Sequence, residues 1–265
     1  MFGTLPGNSN APGFTYNVAG FAAGLDYRFN NNVLAGVTAG YSSATLYTQT
    51  QPGQGTSNGA QFGVYGEFTQ GPVYVDGLAG YARADNRMTR QIIFPGLFRT
   101  ASGQTNADQF FGLVEAGYKI SVAPSFDGFI TPFARLQGST STQAGFTETG
   151  ADSLNLTIAQ QTTNSLRTVF GAQLGATVMN TDLVFRLGWR HEFADLSRPV
   201  TSAFAGAPAL SITIQGTQGQ RDGVVLGLRT DTRVADSTSL YLRYDGDLSG
   251  DTASHTISGG VRIVW

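Results

Sequence analysis

The sequence contains no cysteine and only two histidines, two tryptophans and three methionines. Without cysteine, a disulfide framework and a thiolate-ligated zinc or iron–sulfur site are excluded. Charge is also scarce. Sixteen basic and eighteen acidic residues leave the 265-residue chain 13% charged, about half the roughly 25% of an ordinary soluble domain. The formal net charge of -2 offers no basic patch of the kind that nucleic-acid binding requires. No run of about 18–20 apolar residues occurs, so no transmembrane helix is expected. The first 25 residues carry no charge, yet Pro6, Gly7, Pro12 and Gly13 break them and no basic stretch precedes them. They do not read as a signal peptide, and any targeting segment is expected upstream.

Glycine is plentiful: 35 residues, near twice the usual share of about 7%. Each interior glycine costs a helix about 1 kcal/mol relative to alanine, which argues against a helical bundle. The dominant pattern is alternation at a period of two, the signature of strands. Ala19, Phe21, Ala23, Leu25, Tyr27 and Phe29 alternate with Val18, Gly20, Ala22, Gly24, Asp26 and Arg28. The same alternation recurs around Phe62–Phe68, Phe110–Ile120, Leu183–Trp189, Val224–Leu228 and Ile257–Trp265. Strands of globular proteins run about 5–6 residues, whereas a tilted membrane-crossing strand needs about 9–11. Here the alternating runs repeatedly reach ten or more.

The breaks between runs alternate in length. Short ones fall at Asn30–Asn32, Gln70–Pro72, Ala123–Asp127, Asn180–Asp182 and Ala235–Thr238. Long polar ones fall at Gln49–Asn58, Met88–Thr105, Ala144–Thr162 and Asp195–Gly219. Short turns on one side and long loops on the other are the pattern of an outer-membrane barrel. The chain is therefore expected to be all-β, an up-and-down antiparallel transmembrane β-barrel forming one domain over residues 1–265. Eleven complete strands are expected, near 14–29, 32–48, 59–70, 72–87, 106–122, 127–143, 163–179, 182–194, 220–234, 238–247 and 254–265. Closure with even parity requires a twelfth, for which only Met1–Leu5 remains, a first strand cut short.

Sixteen charged residues share the polar parity of these strands: Asp26, Arg28, Glu67, Asp76, Glu115, Lys119, Arg135, Arg167, Arg186, Arg190, Glu192, Arg229, Asp231, Arg243, Asp245 and Arg262. An arginine facing lipid at the midplane costs about 2–4 kcal/mol, so this parity is expected to face the lumen. Nine basic and seven acidic groups there fit a hydrated channel that holds a polypeptide without sticking to it. They fit equally a set of pairs that stabilises an inward polar surface. Tyr27, Phe29, Phe68, Tyr118 and Trp265 are expected at periplasmic strand ends, and Tyr41, Phe62, Tyr81, Phe110 and Trp189 at outer ends, as interfacial belts.

Little here suggests catalysis. His191 falls on the outward parity and His255 at the start of the last strand, neither placed for general acid–base work. Gly246-Asp247-Leu248-Ser249 has the wrong order for a nucleophile elbow and reads as an outer loop. Asp245–Asp251 partly matches a calcium loop, but Thr256 stands where the bidentate glutamate belongs. No enzyme activity, cofactor or metal is expected.

Several segments, in order, resemble the C-terminal translocator domain of classical monomeric autotransporters, the type V secretion barrels. They are Asn10-Ala11-Pro12-Gly13-Phe14, Gly24-Leu25-Asp26-Tyr27-Arg28-Phe29, Glu115-Ala116-Gly117-Tyr118 and Phe146-Thr147-Glu148-Thr149-Gly150. Trp189-Arg190-His191-Glu192-Phe193, Phe204-Ala205-Gly206, Arg221-Asp222-Gly223, Tyr244-Asp245-Gly246 and Val261-Arg262-Ile263-Val264-Trp265 follow. The family usually carries a fuller first strand containing tryptophan and a pore-plugging helix before it, neither of which is present in this chain. The resemblance implies a monomeric barrel in the outer membrane of a Gram-negative bacterium, among lipid and lipopolysaccharide, that anchors and exports its own N-terminal passenger. It also implies that Val261, Ile263 and Trp265 form a terminal signal for the barrel-assembly machinery. The competing function is an outer-membrane porin or diffusion channel.

Overall fold

A computed structural model describes residues 1–9, 11–49, 53–123 and 127–265. The strands are β1 (Phe2–Leu5), β2 (Phe14–Arg28), β3 (Val33–Thr48), β4 (Gly53–Gln70), β5 (Val73–Phe94), β6 (Leu97–Tyr118), β7 (Ile120–Ala123), β8 (Gly128–Gln143) and β9 (Phe146–Thr147). They continue with β10 (Leu156–Ile158), β11 (Gln161–Val178), β12 (Thr181–Glu192), β13 (Pro199–Phe204), β14 (Ser211–Gln215), β15 (Asp222–Ala235), β16 (Thr238–Ser249) and β17 (Thr252–Ile263). Twelve of them close a ring of antiparallel neighbours. β1 to β6 follow in sequence, then β8, β11, β12, β15, β16 and β17, which pairs back onto β1. The four-residue β1 is the shortened first strand expected from parity. Phe2 lies opposite both His255 of β17 and Asn17 of β2, so even this stub removes the open edge that lipid would not tolerate.

The packing is inside out. Large apolar side chains stay exposed, with Phe21 at 73% and Phe110 at 64%, because hydrocarbon rather than a protein core receives them. Inside, glycines sit beneath rings from the neighbouring strand. Tyr74 lies opposite Gly117, Phe129 opposite Gly175 and Phe133 opposite Gly171. A Cβ on those glycines would meet the rings at 2.3, 2.1 and 2.9 Å respectively. Part of the glycine excess is thus a lining that gives inward aromatics room against the wall.

The apolar outward face of β5 runs from Val73 to Tyr81 and that of β6 from Phe110 to Tyr118. Nine residues match the length of a tilted crossing strand. Directly beyond, Arg83 and Asp108 pair on the same face at 3.4 Å, marking the outer edge of the apolar band. The two strands nevertheless continue to Phe94 and Leu97, closed by Pro95–Gly96 with Gly96 at a φ of 80°.

The long segments are therefore more ordered than the sequence suggested. Met88–Thr105 is a continuation of the β5–β6 ladder rather than a loop, and β4 already begins at Gly53 within the expected loop 49–58. Ala144–Thr162 and Asp195–Gly219 hold β9, β10, β13 and β14, which form a second sheet in the order β14-β13-β10-β9. These strands are only 2, 3, 6 and 5 residues long, too short for an alternating pattern to stand out. A bridge between Ser102 and Thr149 joins this outer sheet to β6. Ile92, Ala101 and Ala151 form a small core there with Leu97 and Leu154. Arg90 clamps it: its Nε donates to Glu148 at 3.2 Å, and its Nη2 donates to Glu148 at 2.6 Å and to the Leu154 carbonyl at 3.2 Å.

Three smaller expectations change. Gly246–Ser249 is not an outer loop, since β16 runs through Ser249. The sixth barrel strand is broken at Lys119 into β6 and β7. The ladder of β17 ends at Ile263, leaving Trp265 two residues beyond it and 89% exposed. The short turn expected at 123–127 and the Asn10 of the first resembling segment lie largely or wholly outside the described residues.

Candidate functional site: the barrel lumen

Register aligns Glu67, Asp76, Glu115 and Arg135 across β4, β5, β6 and β8. Three carboxylates side by side repel, and the compensation comes from guanidinium groups. Glu115, only 4% exposed, accepts from Arg135 Nε at 2.7 Å and is bound through both oxygens by Arg186. Arg186 lies on β12, two strands beyond β8, so the contact crosses the interior. Tyr74 Oη donates to Glu115 at 2.8 Å, and Gln173 Nε2 donates to Tyr74 at 3.1 Å. The Arg186 guanidinium also lies 3.7 Å over the Phe133 ring. Arginine suits this position because its planar fork binds a carboxylate in two places while its face stacks on a ring.

A second cluster stands nearer the outer ends. Arg190 Nε donates to Asp247 at 3.0 Å, and Arg167 lies 3.7 Å from the other Asp247 oxygen. Glu192 is 2% exposed and accepts from Ser165 Oγ at 2.6 Å, Leu166 N at 2.7 Å, Arg167 Nε at 2.9 Å and Ala194 N at 3.0 Å. With four donors on one carboxylate, Glu192 fastens β11 to the end of β12 and presents little free charge.

Several of the remaining expected residues have local partners. Arg243 forks onto Asp245 at 2.6 and 2.7 Å, and Arg229 reaches Asp231 at 3.4 Å. Asp26 accepts from Tyr65 Oη at 2.7 Å, Glu67 from Thr69 Oγ1 at 3.1 Å, and Lys119 lies 4.2 Å over the Phe129 ring. No ion pair joins Arg28 or Arg262 to a described residue. Asp247, Tyr74, Tyr65 and Gln173 were missed from the sequence. Asp247 continues the parity of Arg243 and Asp245, and that signal was available; uncharged Tyr74 and Gln173 had none.

The outer stretch beside these clusters is different in kind. A cavity of about 310 Å³ is bounded by Ser57, Ala82, Ala84, Asn86, Ala107, Gln109, Ser141, Gln143, Gln161 and Thr163, without an ionisable group. The lumen thus combines internally neutralised charge with a neutral amide and hydroxyl wall. Away from Arg28 and Arg262, exposed near the inner ends of β2 and β17, the basic lumen groups are engaged by carboxylates or, for Lys119, by a ring.

Both histidines lie on the outward parity. His191 Nδ1 is 2.9 Å from Asp222, whose same oxygen accepts from Trp189 Nε1 at 3.0 Å. His255 stacks on Tyr244, whose hydroxyl is 2.8 Å from its Nδ1. Trp189, His191 and Phe193 form one aromatic row, as expected of an interfacial belt. Among the described residues, no group of three or more metal-ligating side chains comes together.

The family described as autotransporter beta-domain matches residues 2–245. Two extracellular serine proteases of Serratia marcescens align with all of the chain at 23% identity, and the chain spans 25% of each. Among solved structures, the translocator domain of the autotransporter NalP from Neisseria meningitidis superposes with a TM-score of 0.79 at 17% identity, covering 100% of this chain and 85% of that one. The beta domain of the Bordetella autotransporter BrkA gives 0.69 at 19% identity, covering 100% and 95%. The transport unit of AIDA-I from Escherichia coli gives 0.65 at 14%, covering 100% and 88%.

Proposed function

The chain belongs to the autotransporter beta-domain family, and from that premise we propose that it is the translocator through which an N-terminal passenger of the same polypeptide crosses the outer membrane. It is an outer-membrane barrel of Gram-negative type. The observation that carries the reading is a twelve-stranded closure around charges that neutralise one another, Glu115 with Arg135 and Arg186 above all. Eight strands close on their own side chains and sixteen leave an aqueous channel. Twelve give a lumen on the scale of one helix, about 10–12 Å with side chains. A polypeptide fits such a lumen, and paired charges let it slide.

The family is a translocator barrel rather than a catalytic domain. The protease names of the Serratia relatives describe proteins of which this chain matches a quarter, and the barrel is read as doing no chemistry of its own. Residues 1–265 are read as one domain, monomeric, set among lipid and lipopolysaccharide. Val261 and Ile263 face lipid with 59% and 58% exposure. With Trp265 they are assigned to recognition by the barrel-assembly machinery.

The test uses the full gene with an epitope in the passenger. The intact gene should display the epitope on the cell surface, and removing Trp265 should cut display several-fold by lowering barrel insertion, while detergent refolding of the purified barrel changes little. A gene product with no region upstream beyond a signal peptide, conducting small solutes instead, would favour the porin reading.

A further inference from the structure

The outer sheet has one attached end and one open end. β9 is held to β6 through Ser102 and Thr149, whereas no described strand pairs with the far side of β14. Every residue of β14, Ser-Ile-Thr-Ile-Gln over Ser211–Gln215, is exposed. An edge strand without lysine, proline, bulge or cover lacks the usual guards against pairing.

The register says which groups are free. Val200 lies opposite Ile214 and Ser202 opposite Ile212. Gly216 N donates to the Arg198 carbonyl at 2.8 Å. In an antiparallel ladder the bonded pairs alternate, so 214 with 200 and 212 with 202 bond to each other as 216 does with 198. Consistently, Thr201 turns the other way and accepts from Ala159 of the β10 side at 2.9 Å. The N–H and C=O groups of Ser211, Thr213 and Gln215 therefore point off the open edge. Ile212 and Ile214, 46% and 47% exposed, stand on one face beside it.

We propose that this edge of β14 accepts an extended segment of the passenger as an added strand once that segment has emerged. The proposal rests on the translocator reading. Its chemistry is that of strand addition, in which main-chain bonds supply the attachment and alternate side chains the preference, here for an apolar residue beside Ile212 and Ile214. An emerging chain has unpaired backbone groups of its own. Its tether also gives it an effective local concentration, in the millimolar range for a short flexible link, that a second barrel in the membrane does not match. The Serratia relatives, of which this chain spans 25%, show how much chain such a barrel can accompany.

Thr213→Pro removes one outward N–H without removing a bond to β13, a substitution an edge strand accepts. Thr213→Val removes only the hydroxyl contact with Thr201 at 2.8 Å. In the full-length protein, T213P should leave the amount of surface passenger unchanged but slow its acquisition of protease resistance at least threefold, while T213V behaves as wild type. The barrel has no cysteine of its own, so Thr213→Cys supplies a single thiol there. It should form disulfides with alternate positions of a cysteine-scanned passenger segment. Identical folding of T213P and wild type would overturn the proposal, as would T213C linking only barrel to barrel. Failure of the wild-type gene to display any passenger would instead strike the translocator reading itself.

Discussion

Val114 in the barrel wall and Ile93 at the tip of the β5–β6 hairpin are equally exposed, at 55% and 57%. They lie on consecutive strands of one ladder, yet they face different solvents. Val114 sits within the nine-residue band bounded by Tyr118 and Phe110, and Ile93 stands far beyond Arg83 and Asp108. Exposure alone therefore says nothing about what a side chain contributes. The barrel is stabilised by lipid on one side and a closed backbone ladder on the other. The outer sheet must find its stability in a small core and the Arg90–Glu148 clamp.

The largest effect should come from exchanging solvents for a charge. Val114→Arg is expected to cost about 2–4 kcal/mol in lipid, as for other midplane arginines. Ile93→Arg, already in water, should stay within about 0.5 kcal/mol of wild type. Denaturant unfolding from liposomes measures both, and equal costs would mean that the membrane does not lie where the apolar band places it.

An intermediate effect is expected in the lumen. Glu115→Gln leaves Arg135 and Arg186 facing each other without their shared carboxylate. A fully buried pair broken in this way costs about 3–5 kcal/mol. The Arg135 side chain keeps 22% exposure, and lumen water shares the load, so about 2 kcal/mol is the expected loss in the same assay. A neutral outcome would mean that the cluster fills space rather than compensating the Glu67–Asp76–Glu115 row.

The smallest global effect belongs to the clamp. Arg90→Met should loosen the outer sheet by about 1–2 kcal/mol, because buried Glu148 then loses its cationic partner and keeps only the Leu156 N–H, while the unfolding transition of the barrel stays in place. Limited proteolysis reads this as earlier cleavage within residues 144–162. Simultaneous loss of both regions would show that they fold as one cooperative unit.

The same contrast explains how much could be read from the sequence. Alternation placed eleven strands of the ring, because lipid on one face and polar lumen on the other impose a period of two; the twelfth, β1 at Phe2–Leu5, followed only from the even number that closure requires. Thr105 and Gly103 on β6, or Thr201 and Thr213 on β13 and β14, carry no such contrast, so their strands passed for loops. The lumen was legible only where it is charged. Glu115, Arg135 and Arg186 announced themselves by parity, but Glu115 on β6 meets Arg186 on β12 three strands away around the ring, which no local pattern encodes. Glu192 was legible as a charge but not as a backbone anchor, since its partners are the N–H groups of Leu166 and Ala194.

The central claim is that a passenger travels along the inward face of this barrel. Gln109 borders the neutral outer cavity and the adjacent Phe110, 64% exposed, faces lipid. A photo-crosslinking residue placed at each position in turn, in full-length protein carrying a passenger stalled by a folded insert, separates the two faces directly. Crosslinks to passenger from position 109 and none from position 110 are the expected result; equal yields from both, or passenger captured only at 110, would contradict transport through the lumen.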